Sequence, residues 1–223
     1  MKLNGKEKFS YGLGAVGKDM VYMLSASYVL YYYQDILGVS AVAMGVILLV
    51  ARIFDAFNDP FMGVIVEKTK TRWGKFRPWL MIGTLLNAVI LFLMFAAPPA
   101  LSGSGLVAYA AVFYILWGVT YTMMDIPFWS MIPAFTESGK ERENLTTLAR
   151  SCAGVGSALI TEITMIAVPA LGKLFLGNTE AAREVERCGF QWFALIIAVL
   201  FVIMIGITCL NIKEKSTVDL NAP

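Results

Sequence analysis

Asp55 and Asp59 stand four residues apart in the run Arg52-Ile53-Phe54-Asp55-Ala56-Phe57-Asn58-Asp59-Pro60. That run lies inside an apolar stretch from about Val39 to Val66, long enough to cross a bilayer. An ionised side chain at mid-membrane costs roughly 2.5–3.5 kcal/mol even on the forgiving insertion scale. On a helix the two carboxylates share one face, about 6 Å apart along the axis. Two like charges that close in a low-dielectric medium repel unless a cation or proton lies between them. Their hard oxygens suit a small cation such as Na⁺ or Li⁺. Asn58 is placed to add an amide carbonyl. Pro60 lacks an N–H and crowds the carbonyl of Ala56, so a distorted helix with freed backbone is expected there.

A second constellation lies in Trp117-Gly118-Val119-Thr120-Tyr121-Thr122-Met123-Met124-Asp125-Ile126-Pro127-Phe128-Trp129. Thr122, Asp125 and Trp129 recur at three and four and therefore share a stripe. A carboxylate that accepts paired hydrogen bonds from vicinal hydroxyls, beside a flat indole, is what sugar recognition requires. The competing reading is a packed aromatic with an interfacial Trp. Lys18-Asp19 adds a charged pair to the first apolar segment, beside Gly12, Gly14 and Gly17, which permit close helix approach. Tyr28, Tyr31, Tyr32 and Tyr33 read as an interfacial belt. Arg150 is placed to pair with Asp19 or Asp125, or to snorkel to lipid phosphates. Glu162 lies twelve residues beyond it with no evident partner. Within the spans, five acids (Asp19, Asp55, Asp59, Asp125 and Glu162) face two well-placed bases, Lys18 and Arg150. The surplus negative charge calls for an exogenous cation or protons.

The elements that must position these groups follow from composition. Of 223 residues, 58% are apolar and only 15% charged, against about a quarter charged in soluble domains; mean hydropathy is +0.68. The chain reads as an all-α, multi-pass membrane protein. Six segments of spanning length are expected at Phe9–Tyr33, Val39–Val66, Pro78–Ala97, Leu106–Pro133, Thr147–Leu171 and Phe190–Ile212. Nothing in them alternates as a β-barrel strand would. Twelve of the 18 basic residues fall on one side: Lys2, Lys6, Lys8, Lys68, Lys70, Arg72, Lys75, Arg77, Lys140, Arg142, Lys213 and Lys215. The positive-inside rule then puts both termini in the cytoplasm. No cleavable signal peptide is expected. The net charge of +2 is a topological signal and carries no nucleic-acid signature. Cys152, Cys188 and Cys209 lack metal or redox spacing and read as small packing residues.

These segments, with Lys18-Asp19 and the loop Arg72-Trp73-Gly74-Lys75-Phe76-Arg77-Pro78-Trp79, resemble the glycoside–pentoside–hexuronide:cation symporter family of the major facilitator superfamily. The similarity runs in register from Phe9 to Arg150 and more loosely to Ile212. It implies a six-helix N-terminal half, built as a three-plus-three inverted repeat, over residues 1–212, with 213–223 as the start of a central cytoplasmic linker. It implies Asp55, Asn58, Asp59 and Thr122 as the cation site, for Na⁺, Li⁺ or H⁺ as coupling ion with no other cofactor. It implies Lys18, Asp19, Asp125, Trp129 and Arg150 as residues that contact or support the sugar, with a galactoside as the example. The stretch from Gly63 to Arg77 resembles a cytoplasmic motif that latches helices in one conformational state. The implied setting is a bacterial inner membrane, and the implied partners are sugar, lipid and a missing C-terminal half or a second copy. Glu162 and the stop after six helices depart from the family pattern. The alternatives are a half-sized unit working as a dimer and a membrane binding or regulatory protein that no longer translocates. An enzyme is not expected, because two acids on one helix cannot face each other across a scissile bond.

Overall fold

The computed structural model describes residues 3–136, 139–177 and 181–214. Within them the chain is helical throughout, with no strand. The helices are α1 (Gly5–Tyr31), α2 (Ala41–Lys68), α3 (Arg77–Met94), α4 (Gly103–Ser130), the short α5 (Ile132–Phe135), α6 (Gly139–Leu176) and α7 (Ala182–Asn211). One wide turn, Tyr32–Ile36, extends α1. Five of the long helices, α2, α3, α4, α6 and α7, are long and apolar enough to cross a membrane. The sixth, α1, is long enough but falls outside that class, because Lys18, Asp19, four glycines and four tyrosines dilute its apolar content. Of the region expected as a linker, only Lys213 and Glu214 are described. The rest of it, with Lys215 and Lys2, lies outside the described residues.

Local chemistry sets the helix ends. Ser40 caps α2 by accepting the Ala43 N–H at 3.2 Å, and the Glu7 carboxylate accepts the Asn4 N–H at 2.8 Å ahead of α1. Pro78 opens α3, where its missing N–H costs nothing. Gly74, at φ +103°, makes the turn before it. Pro60, Pro127 and Pro169 lie inside α2, α4 and α6 without ending them. The helix around Asp55 and Asp59 is therefore continuous, with the Ala56 carbonyl deprived of its usual donor.

α1 packs against α6 and α7, α3 against α4 and α7, and α2 leans chiefly on α4. Small residues make the close contacts. A Cβ at Gly156 would stand 2.5 Å from the Val16 carbonyl oxygen, and one at Gly83 would stand 2.8 Å from the Met124 nitrogen. The α1–α6 and α3–α4 crossings thus need glycine, as in tightly packed membrane bundles.

The tyrosines at the end of α1 do not form a belt. Tyr32 and Tyr33 are fully buried and Tyr28 is nearly so. The Tyr28 hydroxyl donates to the Thr161 carbonyl and the Tyr33 hydroxyl to the Met94 carbonyl, each at 2.7 Å. Tyr32 packs edge-on against Phe95 and Phe190. Helix carbonyls satisfy the Tyr28 and Tyr33 hydroxyls, so these rings fill the interior.

One end of the bundle gathers the basic segments. The Leu3 N–H donates to Glu141 at 2.6 Å, joining the N-terminus to the start of α6. The Glu214 carboxylate accepts the N–H groups of Lys75, Phe76 and Arg77 at 2.7, 2.8 and 3.2 Å. The Arg77 guanidinium also donates to the Cys209 carbonyl. The exit of α7 and the α2–α3 loop therefore meet, as the charge pattern expects.

If these glycine crossings hold the bundle together, Gly156→Val should lower stability by about 1–3 kcal/mol through overpacking. Gly45→Ala, where a Cβ meets open space, should leave the melting temperature unchanged or higher. Thermal unfolding in detergent checks both, and an unaltered Gly156→Val midpoint would contradict the α1–α6 approach.

Candidate functional site

Lys18 and Asp19 are consecutive on α1 and so point in different directions. Lys18 is 4% exposed. Its ammonium lies 2.7 Å from Asp125 Oδ1 on α4 and 3.1 Å from Asp19 Oδ1. It also donates to the Tyr121 hydroxyl at 3.0 Å and sits 5.2 Å from the centre of the Trp129 ring. One buried cation thus bridges two carboxylates from different helices. Asp19 Oδ2 accepts from Ser157 on α6 at 3.0 Å, so three helices converge on this cluster.

Asp125 Oδ1 also accepts the Trp129 indole N–H at 3.1 Å, as their four-residue spacing allows. Asp125 Oδ2 has no hydrogen-bond partner among the described residues, which leaves it open for a hydroxyl. Arg150 does not pair with Asp19 or Asp125. Its guanidinium lies 4.0 Å from the centre of the Trp129 ring, a cation–π stack from an exposed position. The flat indole is therefore shared with an arginine on one face. Behind the cluster, Tyr11 stacks on Phe128 at 4.4 Å and donates to the Phe128 carbonyl, fixing the α1–α4 contact.

The second cluster lies between α2 and α4. Thr122 donates to Asp59 Oδ1 at 2.9 Å. Asp55 is half-buried, and Arg52 approaches it at 3.9 Å from a largely exposed position. A Cβ at Gly118 would stand 2.9 Å from Asp55 Oδ1, so the glycine makes room for the carboxylate. The Asn58 side-chain nitrogen is buried without a partner. Turned over, the amide would aim its oxygen into the same place, as a cation ligand requires. Asp59 itself is exposed. The described residues contain no group of three or more His, Cys, Asp or Glu able to hold a metal. A cation here would rely on two carboxylates completed by neutral oxygens.

The structure thus brings together all nine sequence-derived residues in two groups that share α4. Glu162 is exposed on α6 and joins neither. The sequence reading missed Tyr121, Ser157 and Gly118. Tyr121 was readable in principle, lying four residues before Asp125 on the same stripe; Ser157 and Gly118 act only through packing against distant helices.

Residues 10–222 match the family described as MFS/sugar transport protein. The chain belongs to that family. Its members are transporters, and the MFS sugar transporters most similar to it bear this out in their names. The isoprimeverose transporter of Lactiplantibacillus pentosus is 34% identical over 209 residues, covering 94% of this chain and 42% of the relative. The putative glycoside/cation symporter YagG of Escherichia coli K12 is 32% identical over 218 residues, covering 98% and 45%. The lactose permease of Lactobacillus helveticus is 31% identical over 237 residues, covering 97% and 36%. The chain spans less than half the length of these curated relatives.

Removing Lys18 should expose how far the first cluster depends on it. Lys18→Met strands two carboxylates and is expected to cost about 3–5 kcal/mol of stability. Adding Asp125→Asn to that variant should recover a large part of the loss. A denaturation series of the two single variants and the double variant measures the coupling, and purely additive effects would rule it out.

Proposed function

We propose that this chain forms the N-terminal six-helix half of a cation-coupled sugar symporter of a bacterial inner membrane. The observation that carries the reading is on one turn of α4. Thr122 holds Asp59 at the α2 cluster, while Asp125, three residues on, holds Lys18 at the α1 cluster. A change at one cluster therefore bears directly on the helix that serves the other.

Coupling then has a simple electrostatic basis. Without a cation, Asp55 and Asp59 repel each other and leave uncompensated charge on the α2 face that meets α4. A Na⁺, Li⁺ or H⁺ at Asp55, Asn58, Asp59 and Thr122 neutralises the pair and draws α2 onto α4. That fixes Tyr121 and Asp125 for the sugar, so each ligand strengthens the other's binding. Lys18 holds the Asp19 and Asp125 carboxyl groups in place to accept hydroxyl hydrogen bonds. Trp129 offers its ring to the C–H face of the pyranose, with Arg150 beside it. Neutralising charge before translocation also lowers the cost of moving the loaded site through an apolar gate.

A galactoside fits the paired carboxylates of Asp19 and Asp125. The names of the relatives, which include a lactose permease and a glycoside/cation symporter, support a sugar substrate. In this reading all six long helices span the membrane. α1 is included because Lys18 and Asp19 are neutralised inside the bundle, and α1–α3 and α4, α6 and α7 form the two inverted repeats. The basic end is cytoplasmic, with both termini there. A second six-helix half would complete the sugar cavity from the side where α2, α6 and Glu162 stand exposed.

The test is galactoside binding to the full-length protein with and without Na⁺ or Li⁺, or in acidic K⁺ buffer. Affinity is expected to rise with one of these cations, and a constant affinity across all three would refute coupling. Asp59→Cys should abolish cation-stimulated uptake while some sugar binding remains. Persistent stimulation in that variant would remove Asp59 from the ion site.

A further inference from the structure

The seam between α3 and α7 supplies no residue to either charged cluster, yet it is grooved along its length. At the basic end, a cavity of about 340 Å³ is lined by Trp73, Arg77, Met81, Gly206, Cys209 and Leu210. Further along the same two helices, a second cavity of about 340 Å³ has only apolar walls, among them Ala88, Phe92, Val199 and Val202. Each is large enough for an organic ligand. Arg77 to Ala88 is eleven residues, about 16 Å along α3, close to the roughly 15 Å of hydrocarbon in one leaflet.

Two further features point to an occupant. A Cβ at Gly206 meets nothing within 4 Å, so no neighbouring helix requires this glycine, and glycine disfavours a helix interior. What it does is keep the groove open. Arg77 stands at the mouth with its Nε buried and unpartnered, while another of its nitrogens is held by the Cys209 carbonyl. Glu214 is the nearby acid, but its carboxylate is engaged by three backbone N–H groups. Arg72 and Lys75 flank Trp73 and precede Arg77 in the chain, adding positive charge to this loop, and exposed Trp73 marks an interfacial depth.

We propose that the α3–α7 seam binds one anionic glycerophospholipid, its phosphate on Arg77 and an acyl chain in the groove past Gly206. Guanidinium suits phosphate through paired hydrogen bonds, and the basic surround favours an anionic over a zwitterionic lipid. A second half completing the sugar cavity would cover the charged faces of α1, α2, α4 and α6, which leaves this seam to the bilayer. The proposal rests on the membrane-spanning reading and not on symport.

The experiment is native mass spectrometry of the full-length protein in mild detergent, titrated separately with phosphatidylglycerol and phosphatidylcholine. One phosphatidylglycerol should be retained in preference to phosphatidylcholine. Gly206→Leu should remove that bound lipid, and Arg77→Gln should weaken it about tenfold. Equal retention of both lipids, or phosphatidylglycerol retention unchanged by Gly206→Leu, overturns the proposal. Should Arg77→Gln not fold, Gly206→Leu still decides, since its side chain enters open space. Gly206→Leu should also bind galactoside as the parent does, so a failure of symport and a failure of lipid binding are told apart.

Discussion

The ammonium of Lys18, buried between Asp19 and Asp125, is the interaction on which the rest of the bundle depends. A lone charge in that setting would be prohibitively expensive, and so would either carboxylate without it. Together they form a paired unit that ties α1 to α4, and through Ser157 it reaches α6 as well. This also explains how α1 packs in the bundle despite its modest apolar content. Its polar residues are paired inward, and its glycines let neighbouring helices close around them.

α4 is the shared element. Its face toward α3 is closed by Gly83 and by Asn87, which donates to the Trp117 carbonyl and to Thr120. Its other faces carry Gly118 and Thr122 toward α2, and Tyr121, Asp125 and Trp129 toward α1. A helix braced from behind, with Thr122 on one side and Asp125 on another, is well placed to carry information between the clusters. α2, by contrast, leans on little besides α4, which is consistent with a helix whose position depends on what lies between Asp55, Asp59 and α4.

Much of this was legible in the chain. The long helices fall near the apolar segments, and every carboxylate singled out lies in one of the two clusters except Glu162. Asp55 and Asp59 could be read because their cost in a membrane is independent of fold. Tyr28 and Tyr33 could not, since an amphipathic ring suits an interface and an interior equally. Only the Thr161 and Met94 carbonyls, brought near by packing, turned them inward. Arg150 is similar: its reach covered Asp19, Asp125 and lipid phosphate, and the structure sets it on Trp129 instead.

The sequence by itself determined where the long helices fall, the clustering of basic loops at one end and an excess of acid over base within the apolar segments. Those properties follow from local composition and from the cost of charge in hydrocarbon, neither of which needs tertiary contacts. The tertiary structure alone decided which acid meets which base, because that depends on how each helix is rotated about its axis. That rotation is set where backbones touch, at Gly83 against Met124 and Gly156 against Val16. Such contacts join residues far apart in the chain, and no periodicity within one helix encodes them.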